Sequence, residues 1–333
     1  MFRVKLSFPY PSWDLARQTP NSRLRWGDYQ FFVNHDIAEC DYWFVFNFLN
    51  MPKEVTKCPK ENIVLITAEP FSIREYDKYF LRQFQHIITC QREIKHGSVN
   101  YFMQGHPWFV GARYRNGAYQ EFVKDFDELS STQFIAKSKA MSIIVSDKQF
   151  TDGHKRRFEF AIKLKDHFGD DLELFGRGIK DFEDKWDTLA QYKYSIAIEN
   201  CEYPDWITEK LYDCFLAHTF PIYHGAPNVH NYFPKAALEI INIQSFDASR
   251  KKIEEILNLP THYQDHLDEV IKAKNFYLNN LNIFPLMVGF IESKLKSNPL
   301  RTSNTIRNNI LNVNTFSFRL LRKTRNAFDK LTN

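Results

Sequence analysis

Residues 194–233 read YSIAIENCEYPDWITEKLYDCFLAHTFPIYHGAPNVHNYF. The stretch opens on Ser195 to Ile198, an apolar run of strand length, and passes directly into Glu199 and Asn200. A loop with Tyr203, Pro204 and Asp205 follows, and Thr208 stands where a side-chain cap is wanted for a helix running to Ala217. Pro221 to Tyr223 reads as a second strand, ending on the turn Gly225-Ala226-Pro227. Strand, loop, capped helix and strand, joined by short connections, make the repeating unit of a parallel sheet. Polar residues just beyond such strands gather at the sheet's carboxyl edge, where open α/β sheets hold their ligands. The free amides of the first helical turn at that edge attract an anion.

Working outward, the same alternation continues upstream: Ser142 to Val145 as strand, Gly153 to Phe168 as helix, Leu172 to Phe175 as strand and Asp181 to Gln191 as helix. Leu238 to Ile243 adds a strand downstream, and Asp247 to Leu257 and Tyr263 to Lys294 read as helical. The first third carries shorter strand-like runs, Phe2 to Phe8, Trp43 to Phe48, Ile63 to Thr67 and His86 to Cys90, with Arg74 to Phe84 helical. A chain of 333 residues exceeds what one core comfortably fills. Two facing α/β domains are therefore expected, 1–130 and 131–298, followed by a tail, 299–333.

The composition narrows the function classes. Forty-four basic and 40 acidic residues leave a net charge of +4 on a chain that is 44% apolar, which excludes disorder, a fibre and a polycation that coats nucleic acid. Eleven glycines against 31 phenylalanines and 16 tyrosines favour aromatic-lined clefts over glycine-rich phosphate loops, and no Walker-type loop occurs. No apolar run approaches membrane-spanning length. Five scattered cysteines without a C-x-x-C pair speak against zinc and for a reducing compartment. The charge is unevenly spread: residues 301–333 hold seven basic side chains and one acid, so the body is slightly acidic. If helical, 317–331 puts Leu320, Leu321, Phe328 and Leu331 on one side with basic residues flanking, which suits an anionic membrane surface; packing back on the body is the alternative.

The run I-E-N, then D-W-I-T-E-K-L, then F-P-I-Y-H-G-A-P-N-V resembles the donor-binding signature of glycosyltransferase family 10, the α-1,3/4-fucosyltransferases. Trp206 stands where that pattern usually has Tyr, Ile198 replaces its first Phe, and His224 occupies the turn before Gly225. The resemblance implies a GT-B enzyme with two Rossmann-like domains facing across a cleft, GDP-sugar on the second and acceptor against the first. It implies inverting transfer of L-fucose from GDP-β-L-fucose to an oligosaccharide or lipid-linked glycan, such as a lipopolysaccharide side chain, without a metal or other cofactor. Cytoplasmic residence, peripheral to the inner membrane through the tail, goes with that picture. A relative using another nucleotide sugar, or a non-catalytic glycan binder, stays open as an alternative.

Inverting transfer needs a base for the acceptor proton and positive charge on the departing diphosphate. Glu69, beyond the apolar strand in I-V-L-I-T-A-E-P, matches the family's catalytic-carboxylate region, with Glu75 and Asp77 as fallbacks. Lys210 at a helix start and Arg157 in G-H-K-R-R-F-E-F are expected on the diphosphate, Lys155 or Arg156 being alternatives to Arg157. Glu209, Asn200 and Trp206 are expected around the donor. Glu199 either touches the donor or fixes the loop. His106 and Trp108 are expected to offer an aromatic surface to the acceptor or else to pack in the core. No histidine spacing suggests a metal, and no interleaved aromatics in the basic tail suggest nucleic acid.

Overall fold

The computed structural model describes residues 1–145, 152–295 and 300–308. In the first half, β1 (Phe2–Ser7), β2 (Arg25–Trp26), β3 (Tyr29–Val33), β4 (Tyr42–Phe46), β5 (Lys53–Cys58), β6 (Ile63–Ile66), β7 (His86–Thr89) and β8 (Val99–Tyr101) are the strands. All but β5 form one sheet in the order β2-β3-β1-β4-β6-β7-β8, parallel except for the β2–β3 hairpin. Every residue of β4, YWFVF, is buried, as a central parallel strand covered on both faces must be. The helical reading of Arg74 to Phe84 shrinks to α1 (Lys78–Leu81), because the Asp77 carboxylate caps the amides of Tyr79 and Phe80 and starts the helix late.

A small hairpin, β9 (Ala112–Arg115) and β10 (Ala118–Phe122), and α2 (Phe126–Ser131) lead to the second half. There β11 (Lys139–Ile144), β12 (Leu172–Phe175), β13 (Tyr192–Ile198), β14 (Phe220–His224) and β15 (Glu239–Ile240) pair in the order β12-β11-β13-β14-β15, all parallel. Helices α3 (Asp152–Phe168), α4 (Glu209–Leu216), α5 (Phe246–Leu257) and α6 (His262–Phe276) connect and cover these strands. Asp181 to Gln191 is not the expected helix. It keeps only a single 3-10 turn, Lys185–Thr188, because Asp184 turns its carboxylate to the amides of Trp186 and Gly111, both at 2.8 Å. The expected strand from Leu238 to Ile243 is reduced to β15, since Asn242 bends away to bond Ser249.

The C-terminal stretch departs most from the sequence reading. After α6 one π-helical turn, Tyr277–Leu281, breaks the helix, and Asn282 caps α7 (Ile283–Lys294) through the Phe284 amide. The break turns α7 onto the first sheet, where Phe284 meets Phe31 at 4.8 Å and Phe290 meets Phe44 at 6.4 Å. Residues 283–294 thus pack on the half to which the boundary at 298 did not assign them. The supposed tail also begins as structure: β16 (Thr302–Arg307) pairs antiparallel with β5, buries Ile306, and is anchored by Asn308, which exchanges two bonds with Leu49. The membrane-helix reading of 317–331 lies outside the described residues. Among the described residues no helix is long and apolar enough to cross a membrane.

The halves are sewn together by buried polar groups. Arg17, 2% exposed, donates to the carbonyls of Val110, Lys124 and Trp108 at 2.8, 2.9 and 2.5 Å, fixing the connecting segment against the first half. Arg92, stacked 4.0 Å from the Tyr101 ring, pairs with Asp205, whose carboxylate also takes bonds from Tyr232 and Asn228, both at 2.6 Å. Removing a buried charged donor strands its acceptors. Arg17→Met is therefore expected to cost about 3–5 kcal/mol in urea unfolding.

Candidate functional site

The site grows from the end of β13. Glu199, 2% exposed, accepts from the Thr208 amide at 2.8 Å and from its hydroxyl at 2.8 and 3.0 Å, and lies 3.4 Å from the Lys210 ammonium. These bonds close residues 200–207 into a pinned loop and set Thr208 to cap α4 through the Lys210 amide. The β14 turn presses against the same carboxylate. A Cβ on Gly225 would lie 2.3 Å from the Tyr223 hydroxyl and 2.5 Å from Glu199 Cγ, so only glycine fits. Glu199 thus fixes the loop and is not among the side chains that line the two cavities described next.

Beside the loop is a cavity of about 360 Å³, walled by both the hairpin segment and the second sheet. Arg157, Arg177, Lys185 and Lys210 bring four cations to it, with Glu183 and Glu209 among them. Arg157 is 5% exposed and donates to Asn200 Oδ1 at 2.5 Å, while its Nε is buried with no partner among the described residues. Lys210 Nζ sits 3.0 Å from Thr208 Oγ1 and 3.2 Å from Glu209 Oε1. Lys185 bonds Asp213 at 2.8 Å and the Glu209 carbonyl at 3.2 Å. Burial would raise the Glu209 pKa, but the Lys210 and Lys185 ammonium groups outweigh it and hold it down to about 2. Burial likewise works against the Lys210 charge, yet Glu209 and Glu199 keep its pKa above the ordinary value. The guanidinium of Arg177 lies 3.7 Å over the Tyr114 ring at the same wall, a stacked arrangement suited to a planar base.

A second cavity of about 210 Å³ adjoins the first, sharing Phe109, Glu209 and Lys210, and Glu69 enters it from beyond β6. Asn200 and Trp206 face it from the second half. Burial lifts the Glu69 pKa to about 7, with Lys210 pulling it down and Glu209 pushing it up. His106 donates from Nε2 to the Ala68 carbonyl at 2.8 Å, packs edge-on to Trp206 at 5.1 Å, and is kept neutral by burial.

Seven of the nine residues singled out from sequence, Glu69, His106, Arg157, Asn200, Trp206, Glu209 and Lys210, thus converge on the two cavities. Trp108 does not: it is fully buried under Arg17, at 5.3 Å from its ring, and belongs to the core. Lys155 and Arg156 are exposed on α3 and line neither cavity; Glu75 is exposed, and Asp77 is spent on capping α1. The sequence reading missed Lys185, in the segment taken for a helix, Arg177, in the turn after β12, and Tyr114, in the connecting hairpin. It also missed Tyr10 and Trp13 just beyond β1, where the strand-end rule that found Glu69 applies equally. No group of three or more His, Cys, Asp or Glu side chains placed to hold a metal occurs among the described residues.

Two facing Rossmann-like halves with a cleft between them define the GT-B fold, and the chain aligns with a crystal structure of α1,3-fucosyltransferase with GDP-fucose at a TM-score of 0.52. That alignment covers 92% of this chain and 93% of the other, at 17% identity. The sequence pattern of glycosyltransferase family 10 (fucosyltransferase) C-term matches residues 134–277. The α-(1,3)-fucosyltransferase FucT of Helicobacter pylori is 29% identical over 130 residues, 37% of this chain and 26% of the relative. A GDP-fucose protein O-fucosyltransferase 3 of Xenopus tropicalis is 47% identical over 53 residues, 16% of this chain and 11% of that protein. The aligned stretches thus span about a quarter or less of these relatives' lengths.

Because the Glu69 pKa is raised from 4.5 to about 7, folding takes up a proton between those values, and its contribution to stability falls as pH rises through that window. Glu69→Gln does not titrate. Relative to the parent chain it is expected to gain roughly 1–3 kcal/mol between pH 5 and pH 8 in denaturant unfolding.

Proposed function

We propose that the chain is an inverting glycosyltransferase that moves L-fucose from GDP-β-L-fucose to a hydroxyl of a saccharide acceptor in α-1,3 linkage. The observation that carries this reading is a buried carboxyl, Glu69, with a pKa near neutrality, set in a neutral aromatic compartment that shares a wall with a cationic one. In the proposed step the acceptor oxygen bonds to the sugar's C1 while its proton passes to the Glu69 carboxylate. The C1–O bond to phosphate breaks, its electron pair leaving with GDP and the configuration inverting. Arg157, Lys185 and Lys210 meet the charge that develops on the diphosphate, the role for which no metal is called upon. Arg157 brings a buried, unpartnered Nε to that task. Glu209, held ionised, accepts from donor hydroxyls, while Asn200 and Trp206 shape the donor's side of the wall.

The donor is better supported than the acceptor. GDP-fucose is named both for the aligned crystal structure and for the Xenopus relative, whereas the Xenopus relative's name gives protein as its acceptor and the Helicobacter relative's name gives a linkage and no acceptor. The α-1,3 linkage comes from the Helicobacter relative's name. Cytoplasmic residence with a peripheral membrane contact and a lipopolysaccharide-type acceptor remain part of the proposal, resting on five free cysteines and the basic composition of 301–333.

Glu69→Gln is expected to lower kcat roughly 10³-fold while leaving GDP affinity within about twofold. The parent rate is expected to climb through pH about 7 to a plateau, as a base that must be ionised requires; normal turnover by the variant removes Glu69 from the mechanism. Lys210→Ala should weaken GDP and GDP-fucose alike by about tenfold or more in calorimetric titration, and unchanged affinity refutes its phosphate role.

A further inference from the structure

The smaller cavity has a wall that the donor does not account for. It is built by the loop beyond β1, and among its lining side chains Lys210, on the shared wall, is the sole charged base, His106 being neutral. Such a compartment does not suit a phosphate; it suits a neutral ligand with hydroxyls. Tyr10 is 49% exposed, whereas Phe8, Phe46 and Trp206 around the same cavity are buried. Its ring is braced edge-on by Phe8 at 5.5 Å, and its hydroxyl stands beside Asn47 within electrostatic reach of Glu69. Trp13 is held by Phe109 at 4.7 Å and by Tyr119 and Phe122 at 5.0 and 5.1 Å. The indole N–H groups of Trp13 and Trp206, on opposite halves of the molecule, are buried without a partner among the described residues, although buried indoles ordinarily find one.

We propose that Tyr10 and Trp13 form the acceptor platform: a pyranose lies with its C–H face on the Tyr10 ring, its polar edge satisfies the buried indole donors, and one hydroxyl reaches Glu69. The acceptor is then a saccharide rather than a peptide side chain. An aromatic face offers a sugar's apolar side the area and rigidity it needs, and the two unpartnered donors call for ligand oxygens. This inference rests on the transferase reading for its chemistry, but not for its binding measurement.

The test is a titration of the full chain, with GDP present, by the disaccharide 4-galactosyl-N-acetylglucosaminide and by the methyl glycosides of its two sugars. Tryptophan fluorescence reports binding, and steady-state kinetics with GDP-fucose follow. Tyr10→Ala is expected to weaken saccharide binding and raise the acceptor KM about tenfold, with the GDP-fucose KM within about twofold of the parent. Tyr10→Phe, which keeps the ring, is expected to stay within about threefold, and parent-like GDP affinity in Tyr10→Ala shows that the alanine variant's loss is not misfolding. Unchanged saccharide affinity in Tyr10→Ala overturns the proposal, as does a rise confined to the GDP-fucose KM, which would put the donor's sugar on Tyr10. Saturable binding of a serine- or threonine-bearing peptide in place of all three saccharides overturns it too. A parent chain that binds saccharide through Tyr10 yet never releases GDP from GDP-fucose ends the transferase reading while leaving the platform standing.

Discussion

The buried carboxylate of Glu199 is the group on which the rest of the site depends. It ends the central strand of the second sheet, clasps the amide and hydroxyl of Thr208, faces the Lys210 ammonium and sets the steric limit at Gly225. A carboxylate taken out of water survives only when its oxygens are occupied, and here one backbone donor, one hydroxyl and one cation do so. The consequence is positional. The loop carrying Asn200 and Trp206 begins and ends at fixed points, α4 starts where its amides and Lys210 border the cationic cavity, and Glu209 is held beside them.

The two cavities divide the electrostatics in a way that the proposed chemistry uses. Two arginines and two lysines gather on one side, where Glu209, Glu199 and Asp213 keep the lysine ammonium groups charged despite burial. On the other side Glu69 sits among rings, far enough from full compensation that burial dominates and its pKa rises toward neutrality. In the proposed reaction the leaving diphosphate and the proton acceptor have separate, adjoining environments. The seam of Arg92 with Asp205, and of Tyr203 with Glu93 at 2.6 Å, ties the donor loop to the first half, so the two environments are held in register by the same contacts that join the domains.

Much of this was legible before the structure. Strands of consecutive apolar residues flanked by breakers, at 2–8, 63–67, 172–175 and 195–198, could be read from periodicity because a parallel strand covered on both faces leaves no other pattern. Glu69 and Asn200 at strand ends and Glu209 at a helix start converged because topology sends the carboxyl edge of each sheet to the cleft. Where local signals competed with distant partners, the reading failed. Asp181 to Gln191 has helical composition, but Asp184 is claimed by the Gly111 amide 73 residues away. Trp108 looks like a platform in sequence, yet a buried arginine from residue 17 lies over it.

The sequence by itself determined the alternation of elements, the parallel sheets and the residue types at the site, since each follows from spacing, caps and turns within a few residues. Only the tertiary structure decided which aromatics face the cleft, that Lys185 joins the cations, that α7 and β16 return to the first half, and that Glu199 supports the loop instead of facing the cavity. Those outcomes turn on burial and on tertiary partners, which for β16 lie as far as 259 residues away. Such contacts leave no periodic trace in the chain, because a buried ion pair or a docking strand asks only that two segments meet, not how far apart they lie.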